Sequence, residues 1–443
     1  MVNWGVLALK LKIMKEMFLY CRKQARHLRT ILLLSVLPFF GYADADNSIL
    51  DKPTLKVLDI GNSFTLDAVQ LLPRIANASG SNLSSICLYR CYRSGATFKN
   101  WYDIYHDKDS VFTYSIAKVL GGLPSTAPRG TGEIGDGSLF RQVLTQEKWD
   151  LIIIHQAGPY APYYGTWTQN GAGGYLNELL ALIREHQPQA EIGFLLVHSY
   201  WRDYVGNSEK SAVLRWQKIA DATQIFCEDY NVDFVIPYGT AIQNLRASSW
   251  NNEYDLTRDG LHCCFGLGQY TAACCYYEAL IAPRSGISIM GNTARYDATS
   301  MTSTYPAISV TDENAIIAQE AAFLAVQDWY HCNNPEDYFF NLTYEVDGEV
   351  FKTLKVAYGM PLTPEDAPER HGYTFTGWSE IPQNMPAHDV TIAGSFVVSV
   401  GMNTIKNDDS VEHIYRLDGT RSTYRQKGFN IIRRGKTTFK IYN

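Results

Sequence analysis

No basic tract runs through the body of this 443-residue chain, whose formal charge is −6, which argues against a nucleic-acid partner. The apolar run at residues 31–43 (ILLLSVLPFFGYA) has 13 residues, short of the about 20 that span a bilayer. The C-x2-C spacing of structural zinc sites is missing around the adjacent pairs Cys263-Cys264 and Cys274-Cys275, which lie among apolar residues, so no metal is expected. The G-x-S-x-G elbow of one large class of α/β hydrolases is absent too, as is an apolar lid segment. Charged residues make up 19% and hydrophobic residues 46%, which excludes a disordered, collagen-like or coiled-coil chain.

What is present begins with a targeting segment. Arg22, Lys23, Arg26 and Arg29 precede the apolar run, and Ala43-Asp44-Ala45 follows it as a small-x-small cleavage site. Residues 1–45 therefore read as a secretory signal peptide, and the mature protein is expected in the periplasm, at the cell surface or outside the cell. No Cys follows the run, so no lipid anchor is indicated. The segment carries seven Lys/Arg and two Asp/Glu, which leaves the remainder at −11. Eight cysteines remain after it, expected as buried thiols or as one or two disulfides.

Between residues 53 and 285, short β-rich apolar runs (Lys56–Ile60, Ile86–Tyr89, Asp150–Ile154, Ile192–Val197, Phe234–Ile236) alternate with helical patterns. Those patterns cover Ala68–Ala78, Tyr175–His186, Ser211–Tyr230 and Gly268–Ile281. Such alternation predicts an α/β fold, a parallel sheet covered by helices on both faces. Residues 312–330 predict an amphipathic helix capped by Thr311 or Asp312, which closes a domain spanning 46–332. Beyond Asn333-Asn334-Pro335 the pattern turns to strands without helices. Two small all-β modules are expected, at 338–397 and 411–443, joined by a linker at Gly401–Ser410 and with Asp418-Gly419 as a hairpin turn.

The first strand ends in Ile60-Gly61-Asn62-Ser63-Phe64-Thr65. A Ser at the carboxyl end of a parallel strand, ahead of a helix, stands where open α/β sheets bind ligands. The helix amino terminus there favours a developing negative charge. Asp259-Gly260-Leu261-His262, ahead of the last helix of the unit, supplies an acid and a base on one turn. Ser63, Gly95 and Gln156 each follow a different predicted strand, and in a sheet ordered 2-1-3-4-5 those ends meet at one switch point. His155 and His198 also lie at strand ends, but neither has an acid at a useful spacing. The aromatic residues Trp101, Tyr102, Tyr160, Tyr163, Tyr164 and Trp167 gather near this end of the sheet, and 156–174 reads as a specificity loop.

Val57–Thr65 (VLDIGNSFT) and Asp259–His262 together resemble the first and last blocks of the SGNH, or GDSL-like, hydrolase superfamily, closest to a branch of exported Bacteroides-type proteins of unknown function. The resemblance covers about 53–285 and implies a flavodoxin-like three-layer parallel sheet. It further implies Ser63 as nucleophile, His262 as base and Asp259 as its partner, with no cofactor. The family's middle blocks supply a Gly and an Asn to the oxyanion hole. Gly95, in Arg93-Ser94-Gly95-Ala96, answers to the first, through its backbone N–H. The Asn is absent, and Gln156 stands nearest to it. The resemblance thus implies Ser63, Gly95 and Gln156 as oxyanion donors and an esterase acting on acylated carbohydrate. Trp101, Tyr160, Trp167 and His198 are the expected substrate contacts. A non-catalytic glycan-binding or adhesion protein on a degenerate hydrolase fold is the alternative.

Residues 338–397 resemble a Listeria–Bacteroides repeat, carried by Tyr358-Gly359, the segment Gly372–Trp378 (GYTFTGW) and Met385-Pro386-Ala387. Tyr373, Phe375 and Trp378 are expected to pack its small sheet. This resemblance implies a spacer or adhesion role. Residues 411–443 look like the terminal β modules of exported Bacteroidetes proteins, with cell-surface association as the expectation.

Overall fold

The computed structural model describes residues 54–80, 85–108, 111–118, 133–146, 148–299, 307–399 and 411–443. The expected signal peptide and the linker at Gly401–Ser410 lie outside the described residues.

Five runs of apolar, β-branched residues pair in parallel: β1 (Thr54–Gly61), β2 (Ser85–Tyr92), β5 (Leu151–Ile154), β6 (Glu191–Leu195) and β7 (Phe234–Ile236). Two strands not anticipated from the sequence, β3 (Phe112–Lys118) and β4 (Glu133–Gly135), extend the β2 edge antiparallel. The spatial order is β4-β3-β2-β1-β5-β6-β7, so the parallel strands alone follow the expected 2-1-3-4-5 order.

Helices cover both faces. Leu58 and Ile60 of β1, with Ile152, Ile154, Ile192 and Phe194, bury one face against α3 (Phe98–Tyr105), α4 (Gly137–Gln146), α5 (Leu176–His186) and the end of α6 (Ala212–Tyr230). Against the other pack α1 (Ser63–Val69), α2 (Leu72–Ala78), α7 (Tyr238–Arg246), α8 (Leu267–Leu280) and α10 (Asp312–Gln327), with the short α9 (Ala282–Ser285) following α8. Helix starts follow local chemistry. Ser211 accepts from the Leu214 N–H, and Thr97 and Thr311 form reciprocal capping boxes with Asn100 and Asn314.

Two helical expectations need correction. The single helix expected at Ala68–Ala78 is two, broken near Leu71, because Pro73 brings no N–H and its ring excludes a continuous turn. The helix also starts earlier, at Ser63. The helix expected to be amphipathic, α10, is buried at every position from Asn314 to Ala325 except Ile316, polar residues included. The following module covers part of it, with the Phe323 and Tyr358 rings edge to face at 5.5 Å.

Beyond α10, β8 (Phe339–Val346), β9 (Glu349–Ala357), β10 (Tyr373–Trp378) and β11 (Val390–Val398) form a sheet ordered β10-β11-β8-β9 around Leu342, Tyr344, Met385 and Ile392. Phe375 and Trp378 pack as expected, their rings 4.8 Å apart, whereas Tyr373 is exposed and lies under Arg370. A second four-stranded sheet joins β12 (Glu412–Tyr415), β13 (Arg421–Ser422), β14 (Phe429–Arg434) and β15 (Thr437–Tyr442). Cys91, Cys227, Cys263, Cys264, Cys274, Cys275 and Cys332 are free thiols, five of them buried.

Candidate active site

Parallel pairing carries β1 to the sheet's carboxyl edge, and Asn62 turns the chain there into α1. The Asn62 side chain accepts from the Phe64 N–H at 3.0 Å as the N-cap, and its amide donates to Ala96 O at 3.0 Å. Ser63 is thus the first residue of a helix. Its turn is tied to the 93–97 loop, which is also held by the Arg93 N–H on Gly61 O at 3.2 Å. Gly95 in that loop has φ +63°, a conformation glycine adopts without strain. Neither the Ser63 N–H nor the Gly95 N–H has a hydrogen-bond acceptor among the described residues.

Across the sheet end, the loop before α8 brings the expected acid and base together with the serine. His262 Nε2 lies 2.7 Å from Ser63 Oγ, and His262 Nδ1 lies 2.6 Å from Asp259 Oδ2. The other Asp259 oxygen accepts the N–H groups of Leu261 and His262, at 2.9 and 2.8 Å. Desolvation pushes the Asp259 carboxyl up. The His262 ring and these two N–H groups outweigh it and hold the group well below the usual carboxylate range. An ionised Asp259 fixes the proton on Nδ1 and leaves Nε2 free to accept the Ser63 hydroxyl proton.

The site has supports that the sequence reading did not single out. Asp67, one turn after Ser63, is buried and accepts from Arg258 at 2.8 Å, from the Cys263 N–H at 3.0 Å and from Gln269 at 2.9 Å. It clamps the loop of Asp259 and His262 onto the helix of Ser63. The i, i+4 spacing from Ser63 and the Arg directly before Asp259 were the available signals. On the other side, Trp201 N–H donates to Gly260 O at 3.0 Å, and Arg202 engages the buried Asp255 through its backbone and guanidinium. The Tyr204 ring packs on Gly260, where a Cβ would fall 2.7 Å from Cδ2. Tyr200 stands edge to face with Tyr204 at 5.3 Å and lines Gly158.

Several expected site residues serve other ends. Gln156 is buried, its amide donating to Gly173 O at 2.7 Å and its oxygen accepting the Ala157 N–H at 2.8 Å. It closes the 156–174 loop through both ends of its amide, and no described contact brings it to Ser63. Trp101 and Trp167 are core residues, 1% and 0% exposed, so neither faces a substrate. Both pack among other buried rings, Trp101 against Phe112 and Trp167 against Phe98 and Phe194. His198 is buried, bonded to Tyr238 Oη at 3.0 Å and to Leu261 O at 2.7 Å, and burial, then Arg246, hold it well below its ordinary pKa. It positions the loop of His262 as a neutral ring. Tyr160 is half-buried against Gly173, and the described contacts do not bring it to Ser63 or His262. His155 is a satisfied core histidine. Burial lowers it to about 4, its Nδ1 faces Gln156 O at 3.1 Å, and its Nε2 accepts the Asn62 N–H at 3.2 Å. A Cβ at Gly61 would fall 2.3 Å from that Nε2, so glycine is required at this point.

With this geometry in place, comparison with known proteins is informative. A family model described as a domain of unknown function, DUF4886, matches residues 56–304, more than half of the chain. The chain belongs to the DUF4886 family. A second model, the Listeria-Bacteroides repeat domain, matches residues 340–391. Among solved structures, a DUF4886 family protein from Bacteroides uniformis is 24% identical, covers 64% of this chain and 99% of its own length, with a TM-score of 0.50, and shares the fold. A putative SGNH hydrolase from Slackia heliotrinireducens (16% identity, 51% of this chain, 98% of that one, TM-score 0.33) and a putative GDSL-like lipase from Parabacteroides merdae (14%, 51%, 95%, 0.32) also match this DUF4886 chain. No curated protein matches it.

Proposed function

We propose that this DUF4886 protein is an exported serine esterase that removes acyl groups, acetyl foremost, from a carbohydrate. The observation that carries the reading is the unbroken relay Ser63 Oγ to His262 Nε2 to Asp259, at 2.7 and 2.6 Å. Ser63 Oγ attacks the ester carbonyl while His262 Nε2 takes its proton, and Asp259 stabilises the imidazolium. The N–H groups of Ser63 and Gly95 receive the oxyanion, each worth ~3 kcal/mol of barrier. The tetrahedral species collapses, and the sugar oxygen leaves with the proton from His262. Water, deprotonated by the same imidazole, then attacks the acyl-serine and releases the carboxylic acid and free Ser63.

Tyr204, half-buried and leaning on Gly260 beside the relay, takes over the sugar-contact role expected of the two tryptophans. The repeat module at 340–391 favours the second reading, a glycan-binding protein without turnover. A degenerate site has no reason to keep the relay aligned.

The test is hydrolysis of aryl esters from acetyl to octanoyl by the chain and its Ser63→Ala variant. Acetyl turnover that falls at least about a thousandfold in the variant is the expected result. Tyr204→Ala should raise KM on an acetylated polysaccharide several-fold more than it raises KM on aryl acetate. Preference for octanoyl would replace the carbohydrate substrate by a lipid. No Ser63-dependent turnover on any aryl ester or acetylated glycan would leave the binding protein.

A further inference from the structure

The charge of the chain is divided unevenly. Residues 411–443 carry eight Lys/Arg and two Asp/Glu, a formal +6, while residues 46–410 sum to −17. Arg421, Arg433, Arg434 and Lys440 lie on strands and the other four between them, so the cluster on one face appears only once the strands pair. Register sets Arg421, Tyr415, Ile431 and Lys440 side by side across β13, β12, β14 and β15. On the same face, the next row holds His413, Arg433 and Thr438, and a further row holds Phe429 and Tyr442. Paired residues share a face, and this face bears three cations and three aromatic rings without an Asp or Glu. From Arg421 to Lys440 it spans three strand spacings, about 14 Å.

The opposite face differs. It holds the buried Ser422, Ile432 and Asn430, and Glu412 there is neutralised by Arg425 at 2.6 Å and Arg434 at 3.3 Å. Among the described residues, Arg421, Arg433 and Lys440 have no carboxylate partner: Arg421 donates to His413, Arg433 to Gly435 O, and Lys440 lies 4.5 Å over the Phe429 ring. Phe429 and Tyr442 are exposed and meet edge to face at 4.9 Å, which leaves apolar ring surface open beside the cations.

We infer that this face is a docking surface for a polyanionic polysaccharide. Arg forks and the Lys ammonium pair with carboxylate or sulfate groups, and the rings receive the apolar faces of the sugars between them. The choice of a polysaccharide as the source of negative charge rests on the carbohydrate reading of the Ser63 site. The charge complementarity does not.

Binding of the whole protein to polygalacturonate, with neutral dextran as comparator, tests this at about 50 mM salt. The Arg421→Ala, Arg433→Ala, Lys440→Ala triple variant should bind about tenfold more weakly. The Arg425→Ala, Arg434→Ala control on the opposite face should bind as the wild type does. Phe429→Ala with Tyr442→Ala should weaken the binding that survives raised salt. Absence of binding, or equal loss in the control, overturns the inference. Stronger binding to phosphatidylglycerol vesicles, to duplex DNA or to a second copy of the chain assigns the face to another partner and overturns it too. Aryl acetate turnover, expected unchanged in every variant, reports on the Ser63 site separately, so failure of one reading is distinguishable from failure of the other.

Discussion

At pH 5 a Glu320→Gln variant should melt close to the wild type, and at pH 7 well above it. Glu320 lies in α10, 0% exposed, and neither carboxyl oxygen has a hydrogen-bond partner among the described residues. Desolvation pushes its pKa from the ordinary 4.5 to about 9. Between those values the unfolded chain has released a proton that the folded chain keeps. Stability therefore falls as pH rises, by about 1.4 kcal/mol per pH unit, and levels off only above the folded value. At pH 7 the accumulated loss is about 3 kcal/mol. Gln has nearly the same shape and no proton to lose, so the variant escapes that loss. For a domain of this size the difference corresponds to about 6–12 °C in Tm. Thermal melts followed by circular dichroism at pH 5, 6, 7 and 8 measure it. Wild type and variant curves that stay parallel across that range would refute the reasoning, since they would mean that Glu320 does not titrate differently on unfolding.

Other predictions concern the site. Asp259→Asn should lower kcat on aryl acetate by about 10³–10⁴, because the amide no longer selects the Nδ1-protonated ring, with little change in KM. Gln156→Ala leaves the Ala157 N–H and Gly173 C=O unpaired and should cost about 2 kcal/mol in urea unfolding, with kcat reduced less than about tenfold. A loss of a hundredfold or more would return Gln156 to the oxyanion hole. Asp67→Ala strips Arg258 and the Cys263 N–H of their shared acceptor. It should cost about 3 kcal/mol and lower kcat, and a urea midpoint equal to that of the wild type would disprove the clamp.

The parallel strands were readable because each is a short apolar run bounded by turn residues, and the relay was readable because both its blocks are local in sequence. Ser63 sits at a strand end, and Asp259 and His262 share one turn, so neither needs tertiary knowledge. The strand β3 carried a signal that went unread, since Phe112, Tyr114 and Ile116 alternate with Thr113, Ser115 and Ala117, whereas β4 is three residues long and becomes a strand only by pairing with β3. Burial was the second gap. Trp101 and Trp167 look the same in sequence whether they stack on a sugar or fill a core, and only packing against Phe98, Phe112 and Phe194 decides between the two. The loop-closing role of Gln156 was hidden for a related reason. Its partner, Gly173 O, is 17 residues away, and a loop closure of that length leaves no local mark. Tyr204 carried no motif and gained its place only when the loop after β6 folded back onto Gly260.

The two sulfurs that follow His262 bear on how the site can be addressed chemically. Burial first of all pushes the Cys264 thiol up to about 12 and the Cys263 thiol well above its ordinary value, and both side chains are fully enclosed. Neither offers a thiolate to an electrophile. Maleimides and iodoacetamide should therefore pass this centre by, although two cysteines stand next to its histidine. Under the proposed mechanism, fluorophosphonates, which need only the Ser63 oxygen, should label it instead.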